Sequence, residues 1–78
     1  MSIIKVLFFG QLGEQMGSSS LEMNDVQTTD EIIELLKNKY PILRTHTYQI
    51  ALDKEIINEN TPVTTGQVLA LLPPYAGG

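Results

Sequence analysis

The sequence predicts a two-layer α+β domain, with one helix packed on one face of a small mixed sheet. Three observations predict it. Apolar residues dominate positions 2–9 and 67–72, as they do in strands inside a sheet. Between these runs, Ile32, Ile33, Leu35, Leu36 and Tyr40 recur at helical spacing. Shorter β-rich runs stand at 21–23, 48–52 and 55–57, separated by turn-forming residues.

Each element has its own justification. Along residues 2–9, Ile4, Val6 and Phe8 share one face, and Lys5, Leu7 and Phe9 share the other. Residues 10–17 hold Gly10, Gly13 and Gly17, with Leu12 and Met16 four apart, which suits one helical turn between loops. Residues 18–20 read as a polar turn before a short second strand at 21–23. The main helix starts at Thr28 or Thr29. Thr28 and Glu31 have capping-box spacing, and Asp30 and Glu31 put negative charge on the positive end of the helix dipole. Pro41 disfavours helical geometry at Tyr40 and ends the helix there. Residues 48–52 form a strand, Asp53 and Lys54 a tight turn, and 55–57 a short return strand. Residues 58–66, rich in Asn, Thr and Pro, read as loop. In the last strand Leu69 and Leu71 face one way, and Val68, Ala70 and Leu72 the other. A β-grasp satisfies this order: first and last strands lie adjacent and parallel, and the helix supplies the crossover a parallel pair requires. Residues 1–72 make the domain and 73–78 an extended tail.

Bulk properties bound the function. The 78 residues are 42% apolar and contain no cysteine, which removes disulfides, cysteine-ligated metals and a cysteine nucleophile. Mean hydropathy is +0.01, in keeping with a globular domain. Nine acidic and five basic side chains give a net charge of −4. That balance argues against nucleic acid as a partner, and suits either a basic docking partner or simple solubility. Without a leader-like segment or an apolar run of membrane-spanning length, the expected location is the cytoplasm and no membrane partner is expected.

The chemistry points to the C-terminus. Pro73 and Pro74 cannot donate to a sheet ladder, so they stop the last strand and hold the chain extended. Tyr75 and Ala76 lead to Gly77 and Gly78, whose backbone fits a passage too narrow for a Cβ. A carboxylate at Gly78 is a poor acyl donor until joined to AMP. Sulfide can then displace the AMP and leave a thiocarboxylate. Because the chain has no cysteine, a sulfur atom it carried would have to sit on that terminal carbonyl.

The sequence resembles the small, sulfur-carrying subunit of molybdopterin synthase along nearly its whole length. Pro73-Pro74-Tyr75-Ala76-Gly77-Gly78 is the most specific part of the likeness. Lys5-Val6-Leu7-Phe8-Phe9, the helix ending at Pro41, and Gly66 before the last strand add to it. The resemblance implies a ubiquitin-like β-grasp fold and a subunit that is not an enzyme alone. It also implies an E1-like adenylating enzyme that uses ATP and Mg²⁺, and a sulfurtransferase system that supplies the sulfur. A large synthase subunit would receive the loaded tail, in a heterotetramer, and cyclic pyranopterin monophosphate would accept the sulfur during molybdenum cofactor synthesis. No cofactor or metal is implied for the chain itself. Gly13, Gln67, Leu71, Leu72 and Tyr75 depart from common family choices.

Leu7, Phe9, Ala70 and Leu72 are expected to form one exposed apolar patch on the sheet face away from the helix, and thus a partner interface. The alternative is that residues 10–17 or other loops cover them. His46 is the only histidine and reads as a surface residue. Asp53, Glu55 and Glu59 read as a solvated face, Ser18 to Ser20 lack a histidine partner, and Gly10 and Gly13 lack phosphate-loop spacing. Three other functions stay open: a thiamin-type sulfur carrier, a ubiquitin-like modifier joined through Gly78, and a binding module with an inert tail.

Overall fold

The computed structural model describes residues 3–17 and 19–73. Its sheet is built around the first and last strands. β1 (Ile3–Phe8), β2 (Ser20–Asn24), β3 (Gln49–Leu52), β4 (Glu55–Ile57) and β5 (Val68–Leu72) lie in the order β2-β1-β5-β3-β4. β1 and β5 pair in parallel, with Val6 opposite Leu69 and Phe8 opposite Leu71. The other ladders are antiparallel. Two hairpins, β1-β2 and β3-β4, are therefore joined through β5.

The alternation in β1 and β5 sets the core. Ile4, Val6, Leu69 and Leu71 have no solvent exposure, and Phe8 is buried with them. The main helix α2 (Thr29–Lys39) lays Ile32, Ile33 and Leu36 over this face. The short helix α1 (Gln11–Met16) adds Leu12, and the connecting segments add Val26, Leu43 and Val63. Each large side chain so buried contributes roughly 1.5–3 kcal/mol. No described helix is long and apolar enough to cross a membrane.

Local signals explain the ends of α2. Thr28 is the N-cap, its hydroxyl accepting from the Glu31 N–H at 3.3 Å. The return arm differs from a standard capping box: the Glu31 carboxylate accepts from the Gln27 N–H at 2.6 Å. At the other end, Tyr40 closes the last turn by donating its N–H to the Leu36 carbonyl at 2.7 Å. Pro41 then opens a 3-10 turn, Pro41–Arg44, instead of a plain loop. Tyr40 packs edge-on to Phe8, with ring centroids 6.1 Å apart.

Two expectations need correction. Leu35, grouped with the apolar side of the helix, is 45% exposed. The helix rests on one layer only, and the arc that meets the sheet is centred on Ile32, Ile33 and Leu36, leaving Leu35 on an uncovered flank. Residues 58–66 are also more than a loop. Thr28 and Pro62 form a β-bridge, the Thr29 N–H donates to the Thr61 carbonyl at 2.9 Å, and the Val63 N–H donates to the Gln27 carbonyl at 2.9 Å. The buried Thr29 hydroxyl accepts from the Thr61 N–H at 2.9 Å and donates to Asn60 Oδ1 at 3.4 Å. The same Asn60 oxygen accepts from the Asp30 N–H at 2.9 Å, satisfying one of the helix's free donors.

Candidate functional site

With one face of the sheet under α2, the opposite face is left for contact. β1 directs Leu7 to it and β5 directs Val68, Ala70 and Leu72, as side-chain alternation requires. Beyond the strand, Phe9 lies beside them, 44% exposed, with Leu7, Ala70 and Leu72 half-buried. Among the described residues, none from 10–17 lines the hollow that these four border. The structure thus brings together all four residues of the expected patch.

The face is larger than those four residues. Register places Ala70 between Leu7 and Ala51, and Ala51 opposite Ile56. The two alanines form a low floor, with Leu7 and Phe9 rising on the β1 side, Ile56 on the β4 side and Leu72 further along β5. The result is an apolar groove of about 510 Å³, with Asp53 and Lys54 at its rim. Sequence reasoning missed Ala51 and Ile56. The signal was available in the phase of β3, where Ile50 and Leu52 point inward and Ala51 outward, and in the tight turn that sets Ile56 against it.

That turn is firmly held. Asp53 and Lys54 adopt φ of 49° and 73°, the double positive φ of a type I′ hairpin. Asp53 and Val68 exchange two hydrogen bonds: the Asp53 N–H donates to the Val68 carbonyl at 2.8 Å, and the Val68 N–H donates to Asp53 Oδ1 at 3.0 Å. Gln67 Nε2 donates to Asp53 Oδ2 at 3.0 Å, while Gln67 Oε1 accepts from the Thr64 N–H at 2.8 Å. The bond from Val68, and after it that from Gln67, holds the Asp53 carboxyl below the ordinary range. Gln67, one of the departures noted above, thereby locks the start of β5 to the β3-β4 turn.

Among the described residues no group of three or more His, Cys, Asp or Glu is placed to hold a metal ion. The His46 ring lies elsewhere, its Nδ1 3.0 Å from the Ile42 carbonyl. A second hollow of about 400 Å³, beside Tyr48, Ile57 and Asn60, is lined by polar groups already used to bind residues 60–61 to the helix. Burial, and secondarily the Glu34 carboxylate, raises the Tyr48 phenol above its ordinary pKa and keeps it neutral.

β5 leads from the groove directly to Pro73, which is half-buried at the end of the sheet. Pro74, Tyr75, Ala76, Gly77 and Gly78, expected to form the tail, lie outside the described residues. A model of the ThiS family matches residues 6–78. The chain belongs to the ThiS family.

Relatives agree with that membership. This ThiS-family chain is 31% identical over 80 residues to the molybdopterin synthase sulfur carrier subunit of Mycobacterium tuberculosis, with 96% of each chain covered. The complex of subunits 1 and 2 of the molybdopterin-converting factor from Helicobacter pylori contains a chain that superposes with a TM-score of 0.75. The two are 28% identical, over 97% of this chain and 99% of that one. Small archaeal modifier protein 1 from Methanosarcina acetivorans matches at a TM-score of 0.83 and 21% identity, covering 100% of this chain and 98% of that one. The likeness to the modifier establishes the fold, a ubiquitin-like β-grasp. The resemblance read from the sequence is therefore borne out.

Proposed function

We propose that this chain is the sulfur carrier of a molybdopterin synthase. The observation that carries the reading is a continuity within the fold. One strand, β5, both floors the apolar outer groove and delivers the chain to Pro73 and the Gly-Gly end. A partner seated on the groove would hold the scaffold while the end enters its active site. The identity to a sulfur carrier subunit over 96% of each chain supports the same reading.

In this cycle an E1-like enzyme, with ATP and Mg²⁺, joins the Gly78 carboxylate to AMP, and pyrophosphate leaves. Sulfide from a sulfurtransferase system attacks the acyl carbon and expels AMP, leaving a thiocarboxylate. Inside the large subunit, that sulfur bonds to a side-chain carbon of cyclic pyranopterin monophosphate as the carbon–oxygen bond there breaks and the oxygen substituent leaves with the electron pair. Water then cleaves the acyl–sulfur bond, so the sulfur stays on the pterin and the carboxylate returns to Gly78. The chain's own contribution is presentation: a rigid face for docking, a stiff Pro73-Pro74 lead-in, and two residues without side chains to pass a narrow channel.

The test is intact-mass measurement after incubation with the activating enzyme, ATP, Mg²⁺ and sulfide. Exchange of one oxygen for sulfur adds about 16 mass units, mapped to Gly78. Removal of Gly77 and Gly78 abolishes the gain and pterin thiolation together. Full pterin thiolation by the shortened chain would defeat the reading.

A further inference from the structure

Parallel pairing makes β1 and β5 end side by side. Phe8 lies opposite Leu71, and the Phe9 N–H donates to the Leu71 carbonyl at 3.1 Å. Two residues further along each chain, Gly10 meets Pro73. At this point the path from β1 must turn away into α1, and Gly10 makes the turn with φ 64° and ψ −142°, a conformation that strains any residue with a Cβ. A Cβ built on Gly10 would stand 2.9 Å from Pro73 Cγ and 3.8 Å from Cδ. Unstrained carbon pairs keep roughly 3.5–4 Å, so the proline ring would have to move by roughly 0.5–1 Å. Gly17 and Gly66 also have positive φ, but a Cβ on either meets nothing within 4 Å. Of these three glycines, only Gly10 joins a backbone demand to a close neighbour.

We infer that Gly10 is a positioning residue for the tail: its bare Cα is the seat on which the Pro73 ring rests, and it sets the line along which the chain leaves β5. This inference rests on the carrier reading, because aim matters only if the end must reach a partner's reacting atoms. Pro73 is the first residue past β5, and its ring fixes its own φ. A rigid residue on a bare seat transmits direction, whereas a displaced ring redirects everything after it. Misplacing a reacting group by on the order of 1 Å costs on the order of 100-fold in rate. The groove beside Leu7, Ala70 and Ile56 is built from other side chains, so docking itself is preserved.

The experiment compares four full-length variants with wild type: Gly10→Ala, Gly17→Ala, Pro73→Ala, and Gly10→Ala combined with Pro73→Ala. Initial rates of thiocarboxylate formation are read by intact mass at a series of carrier concentrations, with the activating enzyme, ATP, Mg²⁺ and sulfide. Gly10→Ala lowers the maximal rate about tenfold or more, while the half-saturating concentration moves less than about threefold. Gly17→Ala, at a left-handed position (φ 71°, ψ 15°) with a milder backbone demand and no neighbour, keeps the wild-type rate, and relief by Pro73→Ala is what separates the ring contact from backbone strain at Gly10. Pro73→Ala, freed of ring and seat, runs about threefold below wild type, and the double variant recovers to that level. Wild-type turnover by Gly10→Ala, or a loss that removing the ring does not relieve, overturns the inference. Should thermal melting show Gly10→Ala unfolded, Pro73→Ala decides alone: an unchanged maximal rate is the adverse result. A wild-type chain that gains no sulfur refutes the carrier reading instead, so the two failures are distinct.

Discussion

Replacing Thr29 by valine tests how the helix is joined to residues 60–63. Valine keeps the shape and the β-branch of threonine and removes only the hydroxyl. In the native fold that hydroxyl, on a residue only 2% exposed, accepts from the Thr61 N–H at 2.9 Å. The Asn60 amide oxygen keeps its second donor, the Asp30 N–H, so one backbone donor is orphaned rather than two groups. Leaving a donor of this kind unpaired costs about 2 kcal/mol. Unfolding entropy is about 2.1 cal/mol/K per residue, which for 78 residues converts that loss into a fall in Tm of about 12 °C. Thr29→Ser is the control. It retains the hydroxyl and loses one methyl, at about 0.8 kcal/mol. Urea unfolding and thermal melting of the three proteins give the comparison. Valine, the more apolar residue, is expected to be the less stable substitute in a buried site. If Thr29→Val matched wild type, the hydrogen-bonded junction would not be what holds this end of the helix.

Other predictions follow from the same geometry. Leu36→Ala should cost about 2–5 kcal/mol and Leu35→Ala under about 1 kcal/mol by urea unfolding, because Leu36 is fully buried and Leu35 faces solvent; equal costs would contradict the helix orientation. Phe9→Asp should weaken binding to the large synthase subunit at least about 30-fold by calorimetry, with the melt of the isolated chain unchanged; unfolding would mean the ring is structural. The Asp53 carboxyl titrates below its ordinary pKa, so its contribution to stability is present above that ordinary value and lost as pH falls through the lowered one. The stability advantage of wild type over Asp53→Asn should thus be full near neutral pH and shrink in strong acid, and a gap independent of pH would count against the Val68 and Gln67 hydrogen bonds.

Much of this was legible where a local rule fixes the answer. Alternation alone assigns Val6 and Leu69 to the core and Leu7 and Ala70 to the outer face. The spacing of Thr28 and Glu31 places the start of the helix, and Pro41 its end. The tight turn at Asp53 and Lys54 was readable from its flanks, but not its hand, since neither residue is the glycine that usually marks a double positive φ. What escaped depends on partners distant in sequence. Residues 60–63 carry no period, because their order comes from contacts to Gln27, Thr29 and Asp30 across the fold. Leu35 carries the right residue type on a flank that no second layer covers. The meeting of Gly10 with Pro73 exists only once β1 and β5 are paired in register. Of the site, the strand faces could be read in advance, whereas the floor of the groove needed the β3 register.

The central place of β5 also governs how the scaffold bears traction. A partner that draws in the end of the chain pulls along the axis of β5. That strand is flanked by β1 on one side and β3 on the other, so the load falls on both ladders at once. Their hydrogen bonds lie across the pull and must shear together, and two ladders share a load that a strand at the margin would place on one. The end can therefore be gripped and tugged while the body behind it keeps its shape.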